Sequence, residues 1–259
     1  QTVDYDGGTL HWSELTPGDY TISETNPGAN WDVVLPTGPV AVSPGDTCAT
    51  AGVTNTFKPG DLTVNKSIDW NGVTPVDPYT NPTFQICITG PSYLSGDCQE
   101  FSAASLSYTW ENLIPGVYTV AETTPSGIWE GLWEVSGSGV EVTLDPAGTA
   151  SQTVTNTFLP GSLQVTKVVD LGDTIGAVTV TGFNICIEGP SYPTGDCRLF
   201  SETYQLVRTW ENLIPGEYTI SEDDPGPNWD MAIVPTTVTV NPGDDGGQAT
   251  VTVTNTFLP

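Results

Sequence analysis

The sequence has very few positive charges and little histidine. Its 259 residues include 5 Lys and Arg against 31 Asp and Glu, which gives a formal net charge of −26. Because proteins hold nucleic acids and anionic membrane surfaces through Lys and Arg, this balance argues against both as partners. With His11 as the single histidine, the sequence has no cluster of metal ligands, no nucleophile elbow and no phosphate-binding loop. We therefore do not expect an enzyme.

Long apolar runs are also missing. No run reaches the roughly 20 residues that a membrane-spanning helix needs, so we expect no membrane insertion. The opening QTVDYDGG does not read as a signal peptide, which predicts a mature, soluble segment. Convincing helical periodicity is absent as well, whereas 28 Gly and 22 Pro are typical of a turn-rich all-β chain.

What the sequence does contain is a repeat of about 100 residues, the size of one β-sandwich. The string TNTF occurs at 54–57, 155–158 and 254–257. WENLIPG occurs at 110–116 and 210–216. Two complete copies and part of a third therefore make up the chain.

This period predicts the domain organisation. We expect a partial unit at 1–57 that lacks its N-terminal strands, and complete units at 62–158 and 163–257. The linkers at 58–61 and 159–162 are short and contain Pro and Gly. Because such joints limit reorientation, we expect tandem immunoglobulin-like β-sandwiches arranged in a semi-rigid rod.

Alternation of apolar and polar residues marks the strands of each unit. Leu62, Val64, Lys66 and Ile68 share one face of the first strand, and the corresponding strand of the next unit repeats the pattern. With turns marked by PG, DG and GD, this alternation predicts antiparallel sheets that each expose one face to water.

Three kinds of polar residue fall on the inward faces, where the pattern calls for a hydrophobic side chain. Each complete unit directs one Lys, one Glu and one Asn toward its core: Lys66, Glu122 and Asn156 in one, Lys167, Glu222 and Asn255 in the other. Burial of an isolated ammonium or carboxylate costs several kcal/mol unless the group is paired or neutralised. Only three lysines occur in the chain, and two of them hold this position.

Chemistry offers a reason for this placement. Burial lowers the pKa of a Lys and raises that of a Glu, so both groups become neutral. A neutral amine beside a carboxamide can attack its carbon, while a protonated Glu assists the departure of ammonia. The product would be an amide bond between the two side chains. The alternative is a buried Lys–Glu salt bridge, with Asn as a hydrogen-bond partner and no covalent link.

The order of these residues resembles the Cna protein B-type, or prealbumin-like, domain that also occurs in SpaA-type pilins. Lys lies in the first strand, Glu in a Y-x-x-x-E-x-x-P segment after L-x-P-G, and Asn in the last strand. The resemblance implies isopeptide bonds from Lys66 to Asn156 and from Lys167 to Asn255, assisted by the Glu of each unit. In the partial unit Glu24 and Asn55 match, but the strand that carries the Lys is missing from the chain.

Five cysteines complete the candidate covalent chemistry. Cys87 and Cys98 lie 11 positions apart around a GPSY turn, as do Cys186 and Cys197. This spacing favours a disulfide across each hairpin, and thus an extracellular location, over free thiols or a metal site. Cys48 is left unpaired, with a partner upstream or on a neighbouring molecule.

Aromatic and acidic residues offer two further sites. Trp12, Trp110 and Trp210 share one repeat position, and Trp31 and Trp229 share another, which favours packing over a sugar-binding platform. The acidic loops favour a solvated surface over a Ca²⁺ site because no loop alternates acidic ligands densely. These loops contain Asp223, Asp224, Asp244 and Asp245.

The sequence therefore favours a structural protein of the cell surface or of a secreted filament. Its expected partners are flanking repeats or other copies of itself, and no cofactor is expected. The alternative is an adhesin arm that binds a glycan or a host protein through loops or Trp patches. The incomplete unit at 1–57 suggests a window cut from a longer repeat array, with completion by a neighbour's donated strand as the rival.

Overall fold

The computed structural model describes residues 1–45, 48–173, 182–201, 205–244 and 246–258. These residues form 20 strands and two single-turn 3-10 helices, with no α-helix among them. In the same residues, no helix combines the length and the hydrophobicity that crossing a membrane requires. The all-β expectation is confirmed.

Eight strands form the first complete sandwich. They are β5 (Gly60–Asp69), β6 (Thr83–Gly90), β7 (Tyr93–Ser102), β8 (Ser107–Leu113), β9 (Gly116–Glu122), β10 (Trp133–Ser136), β11 (Val140–Leu144) and β12 (Thr149–Phe158). One sheet has the order β10-β12-β5-β8 and the other β11-β9-β6-β7. The inward side chains of both sheets, among them Leu62, Ile86 and Val154, are fully buried in one core.

The second sandwich repeats this arrangement strand for strand. Its strands are β13 (Gly161–Asp170), β14 (Phe183–Gly189), β15 (Tyr192–Phe200), β16 (Val207–Leu213), β17 (Gly216–Glu222), β18 (Trp229–Val234), β19 (Thr237–Val240) and β20 (Ala249–Phe257). The sheet orders are β16-β13-β20-β18 and β15-β14-β17-β19. Tandem β-sandwich domains, as expected from the repeat, are therefore present.

One pairing differs from the sequence expectation. Strand β12 runs parallel to β5, and β20 runs parallel to β13, whereas every other described strand pair is antiparallel. The expectation of purely antiparallel sheets was wrong here because alternation reports which face a side chain occupies and not which strand lies beside it. As a result, the first and last strands of each sandwich are neighbours that point the same way.

The described residues of the range 1–57 form four short strands. These are β1 (Gly18–Tyr20), β2 (Trp31–Val34), β3 (Val40–Val42) and β4 (Thr54–Phe57). Strand β1 pairs with β3, and β2 pairs with β4, in two separate two-stranded sheets. The repeat aligns these strands with β9 to β12, so residues 1–57 contain one edge strand and its inner neighbour from each sheet.

Candidate isopeptide site

The strand ladder brings the three inward polar residues of the first complete sandwich together. In the parallel pair, Lys66 on β5 lies opposite Val154 on β12, two residues before Asn156. Glu122 ends β9 in the facing sheet, opposite Ile86. Because alternate side chains share a face, Lys66 and Asn156 both point into the core, where they meet Glu122 from the other sheet.

The three groups lie within hydrogen-bond distance of one another. Lys66 Nζ donates to Asn156 Oδ1 at 2.6 Å, and Asn156 Nδ2 donates to Glu122 Oε1 at 2.6 Å. The second carboxylate oxygen of Glu122 is 3.3 Å from Lys66 Nζ. The side chains of Lys66 and Glu122 are 0% and 1% exposed. The site is therefore a closed triangle of amine, carboxamide and carboxyl groups without contact with bulk water.

Burial also controls the protonation of the amine. It lowers the pKa of Lys66 from its ordinary value of 10.5, and the charge and hydrogen bonding of Glu122 only partly oppose this shift. The Phe84 ring lies beneath the amine, with its centroid 4.4 Å from Nζ. The environment thus favours the neutral, nucleophilic form of Lys66 more than water does.

The second sandwich assembles the corresponding residues. Lys167 Nζ is 2.8 Å from Glu222 Oε1, and both side chains are fully buried. The Phe183 ring again lies below the amine, 4.2 Å from Nζ. Burial lowers the pKa of Lys167 as well, partly opposed by Glu222. The carboxamide of Asn255, 0% exposed, has no hydrogen-bond partner among the described residues, which is a costly state for a buried amide.

Residues 1–57 hold the same pair without the lysine. Asn55 Nδ2 donates to Glu24 Oε1 at 2.6 Å, as in the first complete sandwich, but here Asn55 is exposed. Strand β4 pairs with β2, and no third strand among the described residues pairs with its other edge. The structure therefore brings together two of the three expected residues in this unit.

Both predicted hairpin disulfides are present. Cys87 bonds Cys98 across β6 and β7, and Cys186 bonds Cys197 across β14 and β15. Cys48 carries an exposed free thiol.

The tryptophans serve packing in the complete sandwiches. Trp110 and Trp210 are 2% and 0% exposed, and each donates its indole N–H to a hairpin aspartate, Asp97 or Asp196. Trp12, at the same repeat position, is 54% exposed.

One buried aromatic was missed in the sequence. Trp31 and Trp229 each pack edge-on against the Phe that ends the last strand of their unit. Trp133 does the same against Phe158 in the first complete sandwich. The segment IWEGLWEV has a different spacing from the other two units, so the sequence did not reveal that Trp133 is the counterpart of Trp31 and Trp229. The strand pairing of Trp133 with Phe158 shows this equivalence.

The acidic loops have structural partners. Asp244 accepts hydrogen bonds from the backbone N–H and the hydroxyl of Ser162, and Asp223 accepts one from Asn184. Asp245 lies outside the described residues. In the part of the chain that the structure describes, no group of three or more His, Cys, Asp or Glu side chains is placed to hold a metal ion.

Comparison with known proteins gives one family match. Residues 57–155 match the sequence model of a prealbumin-like fold domain of the SpaA type, and no curated protein matches the chain. This match confirms the resemblance for that segment.

Several solved structures are similar to this chain at low sequence identity. The Bacillus anthracis TIE protein is 16% identical with a TM-score of 0.46, over 85% of this chain and 38% of that chain. This chain thus spans well under half the length of that relative. The T-13 major pilin of Streptococcus pyogenes is 12% identical with a TM-score of 0.43, over 77% of this chain and 98% of that chain. A B repeat unit of the collagen-binding surface protein of Staphylococcus aureus is 16% identical with a TM-score of 0.30, over 77% of this chain and 98% of that chain.

Proposed function

We propose that the chain is part of a structural extracellular stalk or filament, starting from the match of residues 57–155 to a prealbumin-like fold domain. Its tandem sandwiches are locked by Lys–Asn isopeptide bonds and hairpin disulfides. The proposed units are 62–158 and 163–257, each a separate sandwich, with 1–57 as a partial unit. The proposed chemistry is limited to each domain acting once upon itself.

The observation that carries this proposal is the closed triangle at Lys66, Glu122 and Asn156. A buried Lys and Glu cost stability unless they are paired and fully hydrogen-bonded. An ordinary core would use apolar residues at these positions, yet two of the three lysines of the chain occupy them. A covalent bond removes the buried charge, which explains why both complete sandwiches keep the trio.

The reaction balances without any other reactant. The neutral amine of Lys66 attacks the carboxamide carbon of Asn156, and the new C–N bond replaces the bond to the amide nitrogen. That nitrogen leaves as ammonia after taking up the proton that the amine loses. Glu122 is positioned to carry this proton because it contacts both nitrogen atoms. Glu222 serves the same role for Lys167 and Asn255.

The proposed bond joins the first strand of a sandwich to its last. Lys66 and Asn156 are 90 residues apart in sequence, and a cross-link that closes such a loop stabilises a fold by roughly 4–5 kcal/mol in the chain-entropy model. Because β5 and β12 lie side by side and parallel, a pulling force would pass through the bond and not through the body of the sandwich. This suits a load-bearing shaft.

Two further features support an extracellular location. The hairpin disulfides are stable in an oxidising environment and are rare in the cytosol. The net charge of −26 opposes random association between shafts in that setting.

Intact-mass measurement tests the proposal directly. We expect the oxidised chain to weigh two ammonia molecules less than its sequence, one for each complete sandwich. Asn156→Ala and Glu122→Ala should each restore one ammonia, whereas Asn55→Ala should restore none. A mass equal to the plain sequence with both disulfides would establish the salt-bridge alternative.

A further inference from the structure

The reaction site of the first complete sandwich lies at the end that faces the second. Lys66 is in the second half of β5, and Asn156 comes just before Phe158, where β12 ends. The linker to the second sandwich begins at the next residue, Leu159. Because β5 and β12 run parallel, their C-terminal ends meet at the same end of the sandwich. The amine and the carboxamide are therefore close to the contact between the two sandwiches, which we call the joint.

Aromatic rings connect the amine of Lys66 to the joint. The Phe84 ring lies beneath this amine, with its centroid 4.4 Å from Nζ. Trp133 packs edge-on against Phe84, with ring centroids 5.4 Å apart, and against Phe158, with centroids 5.0 Å apart. These three rings form one apolar cluster with Ile214 of the second sandwich, which is 0% exposed. The second sandwich thus contributes a side chain to the cluster whose Phe84 contacts the amine.

The loop between β5 and β6 extends this contact. Val73 of the loop belongs to the apolar cluster at the joint. Gly72 lies so close to Asn212 that an added Cβ would be 3.2 Å from the Asn212 side chain. The Tyr79 hydroxyl lies close enough to the Tyr218 hydroxyl to act on its pKa, which burial chiefly raises to about 12. The loop therefore contacts the second sandwich at several points along its length.

Hydrogen bonds on both sides hold the linker. The Leu159 N–H donates to the carbonyl oxygen of Leu132 in the first sandwich at 2.9 Å. The Gly243 N–H of the second sandwich donates to the carbonyl oxygen of Pro160, also at 2.9 Å. Because the linker is bound to each sandwich, it holds Ile214 against the aromatic cluster.

We propose that the second sandwich completes the reaction site of the first, with Ile214 as a positioning residue for the bond between Lys66 and Asn156. Docking of Ile214 onto the aromatic cluster excludes water from this end of the core. The bond therefore forms only after the second sandwich has folded and docked. This inference rests on the proposed function and adds a control to it, because the first sandwich is then cross-linked only in a chain whose sandwiches are correctly stacked.

Exclusion of water matters because the amine must be neutral to react. Burial is the main cause of the lowered pKa of Lys66, and it is opposed by Glu122, the charged side chain of the facing sheet that contacts the amine. The other polar atoms at Lys66 Nζ are neutral: the carbonyl oxygens of Ser67 and Val154, and Asn156 Oδ1. Water that entered from the joint would thus favour the charged, unreactive amine.

Timed synthesis of the whole chain tests this proposal. The chain is made in an oxidising cell-free system at about pH 7, and samples are quenched in denaturant at intervals. Mass spectrometry of proteolytic peptides counts the Lys66–Asn156 and Lys167–Asn255 bonds separately. Ile214→Asn should slow the first bond about tenfold, because water at the joint favours the charged amine, and should leave the second bond unchanged. Ile214→Leu keeps the apolar contact and should form both bonds at the normal rate.

A second buried isoleucine provides the matched control. Ile187 is also 0% exposed, but it belongs to the core cluster of the second sandwich and not to the cluster at the joint. Ile187→Ala lowers the stability of the second sandwich without opening the joint. The Lys66–Asn156 bond should therefore form at the normal rate in this variant.

The pH dependence of the rate separates exclusion of water from a merely structural role. After synthesis is stopped, aliquots of the Ile214→Asn and Ile214→Leu chains are moved to higher pH. The difference in rate should narrow as the pH rises toward 10.5, the ordinary pKa of lysine, because the Lys66 amine becomes neutral in both chains. A difference that stays constant would show that protonation of the amine is not what Ile214 controls.

The outcomes separate the two proposals. If both bonds form in the unaltered chain and Ile214→Asn forms the first at the normal rate, control by the second sandwich is overturned and the proposed function stands. An equal delay in Ile187→Ala would also overturn this control, because stability and not the joint would set the rate. If neither bond forms in the unaltered chain, the proposed function fails. NMR titration of the Lys66 amine then decides alone whether Ile214 excludes water: a higher pKa in Ile214→Asn than in Ile214→Leu supports it, and equal pKa values overturn it.

Discussion

The pair Glu24–Asn55 and the pair Glu122–Asn156 have the same geometry in opposite surroundings. Both are joined at 2.6 Å, yet Asn55 is exposed while Asn156 is 0% exposed. The comparison teaches that the hydrogen bond depends only on the half of each sheet that contains β9 to β12 or their counterparts, which both regions have. The buried amine and the desolvation that lowers its pKa require the other half, with the Lys-bearing strand β5, which has no counterpart among the described strands of residues 1–57.

The largest expected effect comes from removing the proposed cross-link of the first complete sandwich. Asn156→Ala should lower the free energy of unfolding of the first complete sandwich by about 4–5 kcal/mol because the 90-residue loop is no longer closed. Hydrogen exchange of the β5 and β12 amides measures this. Asn55→Ala is the control and should leave exchange unchanged; equal effects of the two substitutions would show that no bond forms.

A smaller loss is expected from the disulfides. Replacing Cys87 and Cys98 by Ser should destabilise the first complete sandwich by about 2–3 kcal/mol, less than the isopeptide loss because the closed loop is shorter. Thermal unfolding of the double variant measures it. Cys48→Ser changes an exposed free thiol and should have no effect, and a loss there would reveal a partner for this residue.

The next comparison is between Ile214, which is buried where the two complete sandwiches meet, and its exposed counterpart Ile114. Ile214→Ala should cost about 2 kcal/mol because it leaves a cavity against the loop of the preceding sandwich. Ile114→Ala removes a half-exposed side chain and should change stability by under about 0.5 kcal/mol. Faster amide exchange at Val73 and Tyr79 in the first variant only would locate the effect at the joint. Equal exchange in both variants would mean that Ile214 does not hold this loop.

The smallest effect is a pH dependence, measured as the difference between two variants that cannot form the bond. Burial lowers the folded-state pKa of Lys66 below its ordinary 10.5. Between these two values the unfolded state binds more protons, so stability rises with pH. Asn156→Ala should therefore gain stability relative to Lys66→Met/Asn156→Ala as pH increases toward 10.5. A difference that stays constant or falls would contradict a depressed pKa.

Much of the fold could be predicted because its information is local. The period-two alternation of β5 placed Lys66 on the inward face, where it is 4% exposed. The spacing of Cys87 and Cys98 around one turn predicted their disulfide. In both cases, neighbours along one strand or one hairpin carry the whole signal.

Features that depend on contacts between distant segments could not be predicted. The parallel pairing of β5 with β12 joins strands about 90 residues apart, and alternation is the same whichever strand lies alongside. Trp133 was missed because its equivalence rests on pairing with Phe158. Ile114 and Ile214 occur in identical strings, so no sequence pattern distinguishes the exposed residue from the buried one.

The sequence by itself determined the repeat, the strands and the identity of the residues that we propose react, because periodicity and composition are properties of single segments. Only the tertiary structure decided how close those residues come. The distance from Lys66 to Asn156 and the loss of water around them are set by two packed sheets. The tertiary structure also decided that Ile214 is buried at the contact between the two complete sandwiches while Ile114 is exposed, since burial depends on which segments meet.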